Sequence, residues 1–395
     1  MTNSSTPSGS ALVERYYSDY GSRARELKKQ GRRFIGYLCA YVPLEIISAA
    51  GFIPFRVKGN VHEPISAADA QMETIVCPMV RSYFDQTLKG AWDFIEGLVL
   101  PHSCDSMCIT HDIWRTSLNL PYFHLLNVPH TISDNSREFF VDCLRTFRTS
   151  MERYAGRTIS NKAIEAEIEK YNALRKAVRH LYGLRRGDEP RISGSAIVRT
   201  LVAAMSLPVE EAVPMVESIT IEGSKQGPAF ERGTPRVMIV SSEQDDDGLA
   251  SIVEECGGAV VSDFTCPGLR EYGQDVEPHT DPLVGLAGRY LNLNCARTYR
   301  GETGKQSDDF EERFGIIGRL ATDFRVRGVI IRVHRCCDPY GLEVPALRSY
   351  LANHGLAVLY IEDDYSIMDI GRLRTRIQAF IELISGSLET GVNIV

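Results

Sequence analysis

Short apolar runs of strand length alternate with amphipathic stretches of helix length twice along this chain, and that alternation is what most constrains the fold. In the first series, "RFIGYL" (33–38), "FIPFRV" (52–57), "FIEGLVLP" (94–101) and "YFHLLNV" (122–128) have the length and the β-branched or aromatic content of buried strands. Between them "PLEIISAAG" (43–51) predicts a helix with proline in its first turn and glycine past its end, and "VRSYFDQTLKGAW" (80–92) predicts another. The second series runs through "RVMIVSS" (236–242), "AVVSDF" (259–264), "GVIIRVH" (328–334) and "AVLYIED" (357–363), with helices expected over 247–258, 344–355 and 370–384. Strands separated by helices of this length predict an α/β layer built on a parallel sheet, once in each series.

Between the two series the period changes. From "SREFFVDCLRTFRTSMERYAG" (136–156) to about Leu207, apolar residues recur every three or four positions, most clearly in "NKAIEAEIEKYNALRKAVRHLYGL" (161–184). The expected organisation is an N-terminal tail and helix (1–30), an α/β domain (31–156), a helical region (157–230) and a second α/β domain (231–395). The length of 395 residues is too great for one small core and fits this division. A net charge of −7 with mixed signs gives no basic footprint for nucleic acid. No apolar run is long enough to span a bilayer. The opening "MTNSSTPSGS" lacks the order of a secretory signal, so a disordered tail and a cytoplasmic protein are expected.

Ten cysteines then need a reason. Without an export signal a disulfide framework is not expected, which leaves buried apolar thiols, redox chemistry or metal ligation. Their positions are informative. Cys39, Cys104 and Cys337 each fall just past the carboxyl end of a predicted strand, the edge where open α/β sheets bind ligands. Cys77 precedes a helix N-terminus, where backbone amides favour a thiolate. Cys266 follows a strand of the second series, and Cys295 ends a short apolar run. Cys143 and Cys256 are expected inside helices, and Cys108 and Cys336 stand beside better candidates. His111, His124 and His334 lie near candidate site loops and are read as structural hydrogen-bonding residues.

The paired spacings of structural zinc and the ferredoxin spacing are both absent, so the residues permit a cluster held from distant loops without specifying one. "GETGKQS" (301–307) fails as a phosphate loop: Tyr299 stands where a glycine is required and Gln306 where a Ser or Thr is required. A surface loop is expected there.

Six segments in order, "IGYLCAYVPLEIISAAGFIPFRV", "CPMVRS", "LPHSCDSM", "DFTCPGLREY", "CCDPYGLE" and "YIEDDYSIMDIGRLRTRIQAF", resemble the 2-hydroxyacyl-CoA dehydratase and benzoyl-CoA reductase family, from about Arg33 to Ile384. The resemblance implies two Rossmann-like or flavodoxin-like domains with an iron–sulfur cluster between them. It implies low-potential electrons delivered singly by an ATP-hydrolysing iron–sulfur activator to a subunit acting on an acyl-CoA thioester. The subunit would pair with a homologous second subunit as a heterodimer, or form a homodimer. Cys104 and Cys337 match the family's best-marked ligand positions, Cys39 and Cys77 match positions that carry cysteine in many branches, and Glu63 in "GNVHE" matches a substrate-facing glutamate of some dehydratases. A related branch, the double-cubane reductases, is similar too and holds an [8Fe-9S] cluster with six cysteines, here Cys39, Cys77, Cys104, Cys266, Cys295 and Cys337. That branch has a further cysteine where this chain has Arg297, and its "TTCDGKKK" is "HSCDSMCI" here. The expectation is one [4Fe-4S] cluster in an acyl-CoA enzyme subunit. The alternatives are a double-cubane reductase and a non-catalytic electron-relay or scaffold subunit.

Overall fold

The computed structural model describes residues 7–298, 306–366, 368 and 370–390, and two parallel sheets organise them. The N-terminal half runs α1 (Gly9–Ser18), α2 (Ser22–Lys29), β1 (Phe34–Tyr37), α3 (Leu44–Ala49), β2 (Ile53–Arg56), α4 (Pro78–Leu88), β3 (Ile95–His102), α5 (Asp105–Ser117) and β4 (Tyr122–Asn127). Four helices follow: α6 (Asp134–Ala155), α7 (Asn161–Gly183), α8 (Gly194–Ala204) and α9 (Val209–Lys225). The C-terminal half runs β5 (Arg236–Ser241), α10 (Gly248–Glu255), β6 (Ala259–Phe264), α11 (Leu269–Tyr272), α12 (Pro282–Leu291), α13 (Gln306–Asp323), β7 (Gly328–His334), α14 (Asp338–Asn353), β8 (Ala357–Asp363) and α15 (Ile370–Thr390). The fold is therefore α/β with two parallel sheets, as the alternating runs predict.

Both sheets have the same strand order. The first is β2-β1-β3-β4 and the second β6-β5-β7-β8, with every pairing parallel. In each, the chain steps outward from its first strand and then reverses, so a topological switch point lies between β1 and β3 and again between β5 and β7. Such reversals leave a crevice outside the carboxyl ends of the strands. The inner strands β1, β5 and β7 are buried almost throughout, which is why they read as continuous apolar runs, while β4 and β8 at the edges are partly open.

Helix ends follow local chemistry. Ser133, Ser160 and Ser193 cap α6, α7 and α8 by accepting from the backbone N–H three residues on. The stretch expected as an N-terminal tail is helical at its last two residues. Residues 1–6 lie outside the described residues, but Gly9 and Ser10 belong to α1, where the Glu222 carboxylate of α9 accepts from the Gly9 N–H at 2.6 Å. An anion at the helix N-terminus fixes that end. The stretch 299–305, which holds most of "GETGKQS", also lies outside the described residues. No described helix is long and apolar enough to cross a membrane.

The carboxyl edges of the two sheets meet. The Arg56 guanidinium at the end of β2 donates to Glu243 after β5 at 2.7 Å, with both side chains buried. The Tyr83 hydroxyl of α4 donates to Asp245 at 2.9 Å, and Tyr41 hydrogen-bonds Thr298. Tyr365, after β8, donates to the same Asp245 carboxylate at 2.7 Å. The crevices of both halves thus form one buried region.

Candidate functional site

Three helix N-termini converge on that region, and each carries a cysteine at its cap. Cys77 caps α4, Cys104 caps α5 and Cys337 caps α14, with proline in the first turns of α4 and α14. All three line one cavity of about 350 Å³, together with Cys336, Ser103, Arg297 and His130. Two of its cysteines come from the first half and two from the second. Helix N-termini favour negative charge, so the shared wall suits thiolates or another anionic group. Asp105 and Asp338 in the first turns of α5 and α14 and the exposed Leu342 also line it.

A second, narrower cavity adjoins it. Cys39 and Cys266 line about 10 Å³ with Met107, Glu243 and the same Arg297. That space accepts at most a single water, whereas the wider cavity has room for a multi-atom group. Cys39 sits past β1 with φ of +67°, and Cys336 past β7 with φ of +58°. A non-glycine residue in the left-handed region costs free energy and persists only where its surroundings hold it, often at functional sites. Ser103 Oγ approaches Cys39 Sγ at 3.8 Å. The Cys39 thiol is pulled down to about 7, chiefly by its hydrogen bond with Cys266, against burial, with the Arg297 charge helping. Burial pushes the Cys77 thiol up to about 12 and raises Cys337 as well. Cys295 is buried beside this pocket, its Sγ 3.3 Å from the Tyr340 hydroxyl and 3.9 Å from Arg297 Nη1. Burial opposes the Arg297 charge, but Cys104, Cys295, Cys39 and Cys337 around it hold its pKa well above the ordinary arginine value.

The six cysteines singled out in the sequence therefore fall into two groups that share Arg297, with Cys77, Cys104 and Cys337 around the wide cavity and Cys39, Cys266 and Cys295 behind it. Among the described residues no three His, Cys, Asp or Glu side chains converge tightly enough for a single metal ion. A cubane cluster makes a different demand, since each thiolate meets its own iron around a central void. Thiols on separate helix caps around an open cavity fit that demand.

Glu63 stands elsewhere. It is exposed, is absent from both cavity walls, and accepts from Asn60 at 2.8 Å, Gln86 at 3.1 Å and Lys89 at 3.2 Å. The Gln86 hydrogen bond and then Lys89 hold its carboxyl below the usual glutamate range. His124 packs on Phe147 and His334 Nδ1 donates to the Asp363 carboxylate at 2.9 Å, both as structural groups. His130, not singled out in the sequence, reaches the cavity lining. Cys336 also belongs to it, although its neighbour is the better-marked position. Arg297, Arg270 and Tyr340 escape sequence reasoning as site residues; a charged side chain two positions past Cys295 in an apolar run is the one signal.

Comparison with known proteins gives the family. The family model for 2-hydroxyglutaryl-CoA dehydratase, D-component, matches residues 39–384. The chain is 26% identical over 370 residues to the putative dehydratase subunit YjiM of Escherichia coli, covering 91% of this chain and 93% of the relative. It is 29% identical over 346 residues to a subunit of the benzoyl-CoA reductase of Thauera aromatica, covering 85% and 88%. It is 24% identical over 380 residues to the beta subunit of the (R)-2-hydroxyglutaryl-CoA dehydratase of Acidaminococcus fermentans, covering 94% and 99%. With the family model spanning most of its length, the chain belongs to the 2-hydroxyglutaryl-CoA dehydratase D-component family of dehydratase and reductase subunits.

Proposed function

We propose that this chain is an iron–sulfur subunit of an acyl-CoA dehydratase or reductase, holding one [4Fe-4S] cluster through Cys77, Cys104 and Cys337. The observation that carries the reading is the shared cavity of about 350 Å³ with three cysteine-capped helix N-termini on its wall. When bound, such a cluster supplies one-electron chemistry at a potential set by its surroundings. The chain's own residues bind it, direct helix dipoles at it and keep its inner side dry through Val80 on the cavity wall and the apolar packing of Met107 and Met79 behind it. The substrate class, a CoA thioester, is taken from the relatives named for benzoyl-CoA and 2-hydroxyglutaryl-CoA. Those relatives are subunits, so a homologous second subunit is proposed, or a second copy of this chain. An ATP-hydrolysing iron–sulfur activator is proposed as the electron source.

A second reading keeps all six cysteines as ligands of a double-cubane cluster, because Cys39, Cys266 and Cys295 lie directly behind the first group. The narrow pocket of about 10 Å³ favours the single cluster. Iron and acid-labile sulfide per chain, measured on anaerobically purified protein, separate the two. About four of each supports one cubane. About eight irons would move the assignment to the double cubane. Near zero, with failed anaerobic reconstitution, would remove the cluster altogether.

A further inference from the structure

Two guanidinium groups, that of buried Arg270 and that of half-buried Arg297, face one phenol ring behind the cysteines. Arg270 lies 5.3 Å from the Tyr340 ring centroid and Arg297 lies 5.5 Å from it, while the Tyr340 hydroxyl contacts Cys295 Sγ at 3.3 Å. Arg270 donates to the carbonyls of Ser241 at 3.1 Å and Phe264 at 2.9 Å, and to Cys266 Sγ at 3.4 Å. Among the described residues Arg297 donates to Cys295 Sγ at 3.9 Å, and its Nε is buried without a hydrogen-bond partner there. Neither arginine has a carboxylate among its hydrogen-bond partners within the described residues. Glu243, which shares the narrow pocket with Arg297, is engaged by Arg56 at 2.7 Å.

Two like charges on one ring, one of them the buried Arg270, are costly unless an anion offsets them. The groups they face are sulfur atoms. We infer that Arg297, backed by Tyr340 and Arg270, is a positioning residue whose charge offsets that of the bound cluster and raises its reduction potential. This rests on the cluster reading above. A cation beside a cluster stabilises the reduced form, which carries one more negative charge, so removing it drives the midpoint more negative.

The test is a potentiometric titration of anaerobically purified wild type, Arg297→Gln and Arg297→Lys, with iron content and circular dichroism measured on each. The expected result is a midpoint in Arg297→Gln more negative by at least a tenfold change in the reduction equilibrium, about 59 mV for a one-electron couple. Arg297→Lys, which keeps the charge, should retain more than half of the wild-type offset. An unchanged midpoint in Arg297→Gln overturns the inference, as does an equal shift in both variants, which would point to shape instead of charge. If Arg297→Gln loses its iron while folded, retention in Arg297→Lys supports the inference and loss in both overturns it. Wild type without iron would instead bring down the cluster reading itself, so the two failures are distinguishable.

Discussion

Glu45 and Arg175 form a charge pair at 2.5 Å with side-chain exposures of 0% and 3%, joining α3 to α7. Tyr290 of α12 donates to the other carboxylate oxygen at 2.9 Å, so the pair ties the first sheet's helix layer to the helical region and to the second half. Burial alone would raise the Glu45 pKa, but Arg175 and Arg289 outweigh it and hold the carboxyl below the ordinary range. Replacing Glu45 by Ala strands a buried cation, and the expected loss is about 3–5 kcal/mol of unfolding free energy. Chemical denaturation checks it. Because the folded pKa is depressed, this stabilisation is present above the unfolded carboxylate value and is lost as pH falls through the folded one. The Glu45→Ala deficit should therefore shrink on acidification.

The cysteine assignments separate by serine replacement. On the proposed assignment Cys77→Ser, Cys104→Ser and Cys337→Ser are each expected to lower iron per chain at least about twofold, since each would remove one thiolate from a cluster held by few protein ligands. Cys143, on α6, and Cys256, at the C-cap of α10 and not inside the helix as expected, lie outside both cavity linings, so Cys143→Ser and Cys256→Ser should leave iron unchanged. The measurement is iron by colorimetry on protein isolated without oxygen. Equal iron loss in all five variants would mean that the loss reports general destabilisation.

His124 gives a pH dependence of opposite origin. It lies on β4 with its ring 4.8 Å from Phe147, and burial, then the neighbouring His111, pull its pKa down to about 4. The unfolded chain titrates near about 6.5, so between those values it binds more protons than the folded one, and stability falls as pH drops through the window. The drop in melting temperature between about pH 7 and about pH 4.5 should be smaller in His124→Leu than in wild type. Identical drops would show that His124 is protonated in the fold.

Much of this fold is legible in the residues alone. The runs at 33–38, 236–242 and 328–334 form β1, β5 and β7 almost residue for residue because strands buried on both faces leave little but apolar side chains. The cysteines at strand ends are visible for the same reason: once the strands are placed, their carboxyl edges follow. Other features depend on the backbone path or on distant chain. The positive φ of Cys39 and Cys336 has no signature in residue type. The Tyr340 ring meets Arg270 and Arg297 only because the short helix α11 and the loop after α12 reach the N-terminus of α14, which no periodicity records. The amphipathic helix α13 escapes a reading by pattern, as its charged start resembles loop.

Glu63 is the clearest case where a motif and its surroundings part. A glutamate at the substrate-facing position it resembles could serve as a catalytic acid/base, yet its carboxylate is exposed and engaged by Lys89, Gln86 and Asn60, outside both cysteine cavities. A general base needs reach to the reacting proton and a pKa near the working pH, and this carboxyl is held low by its donors. Its ion pair with Lys89 is of the surface kind, so Glu63→Gln should change stability by less than about 1 kcal/mol and leave iron content alone. In the proposed assembly with a second subunit and an activator, turnover should stay within about twofold of wild type, well short of the roughly 10²–10⁴ range of a lost general acid or base. A loss of about a hundredfold or more, with fold and iron intact, would instead show that assembly brings Glu63 to the substrate.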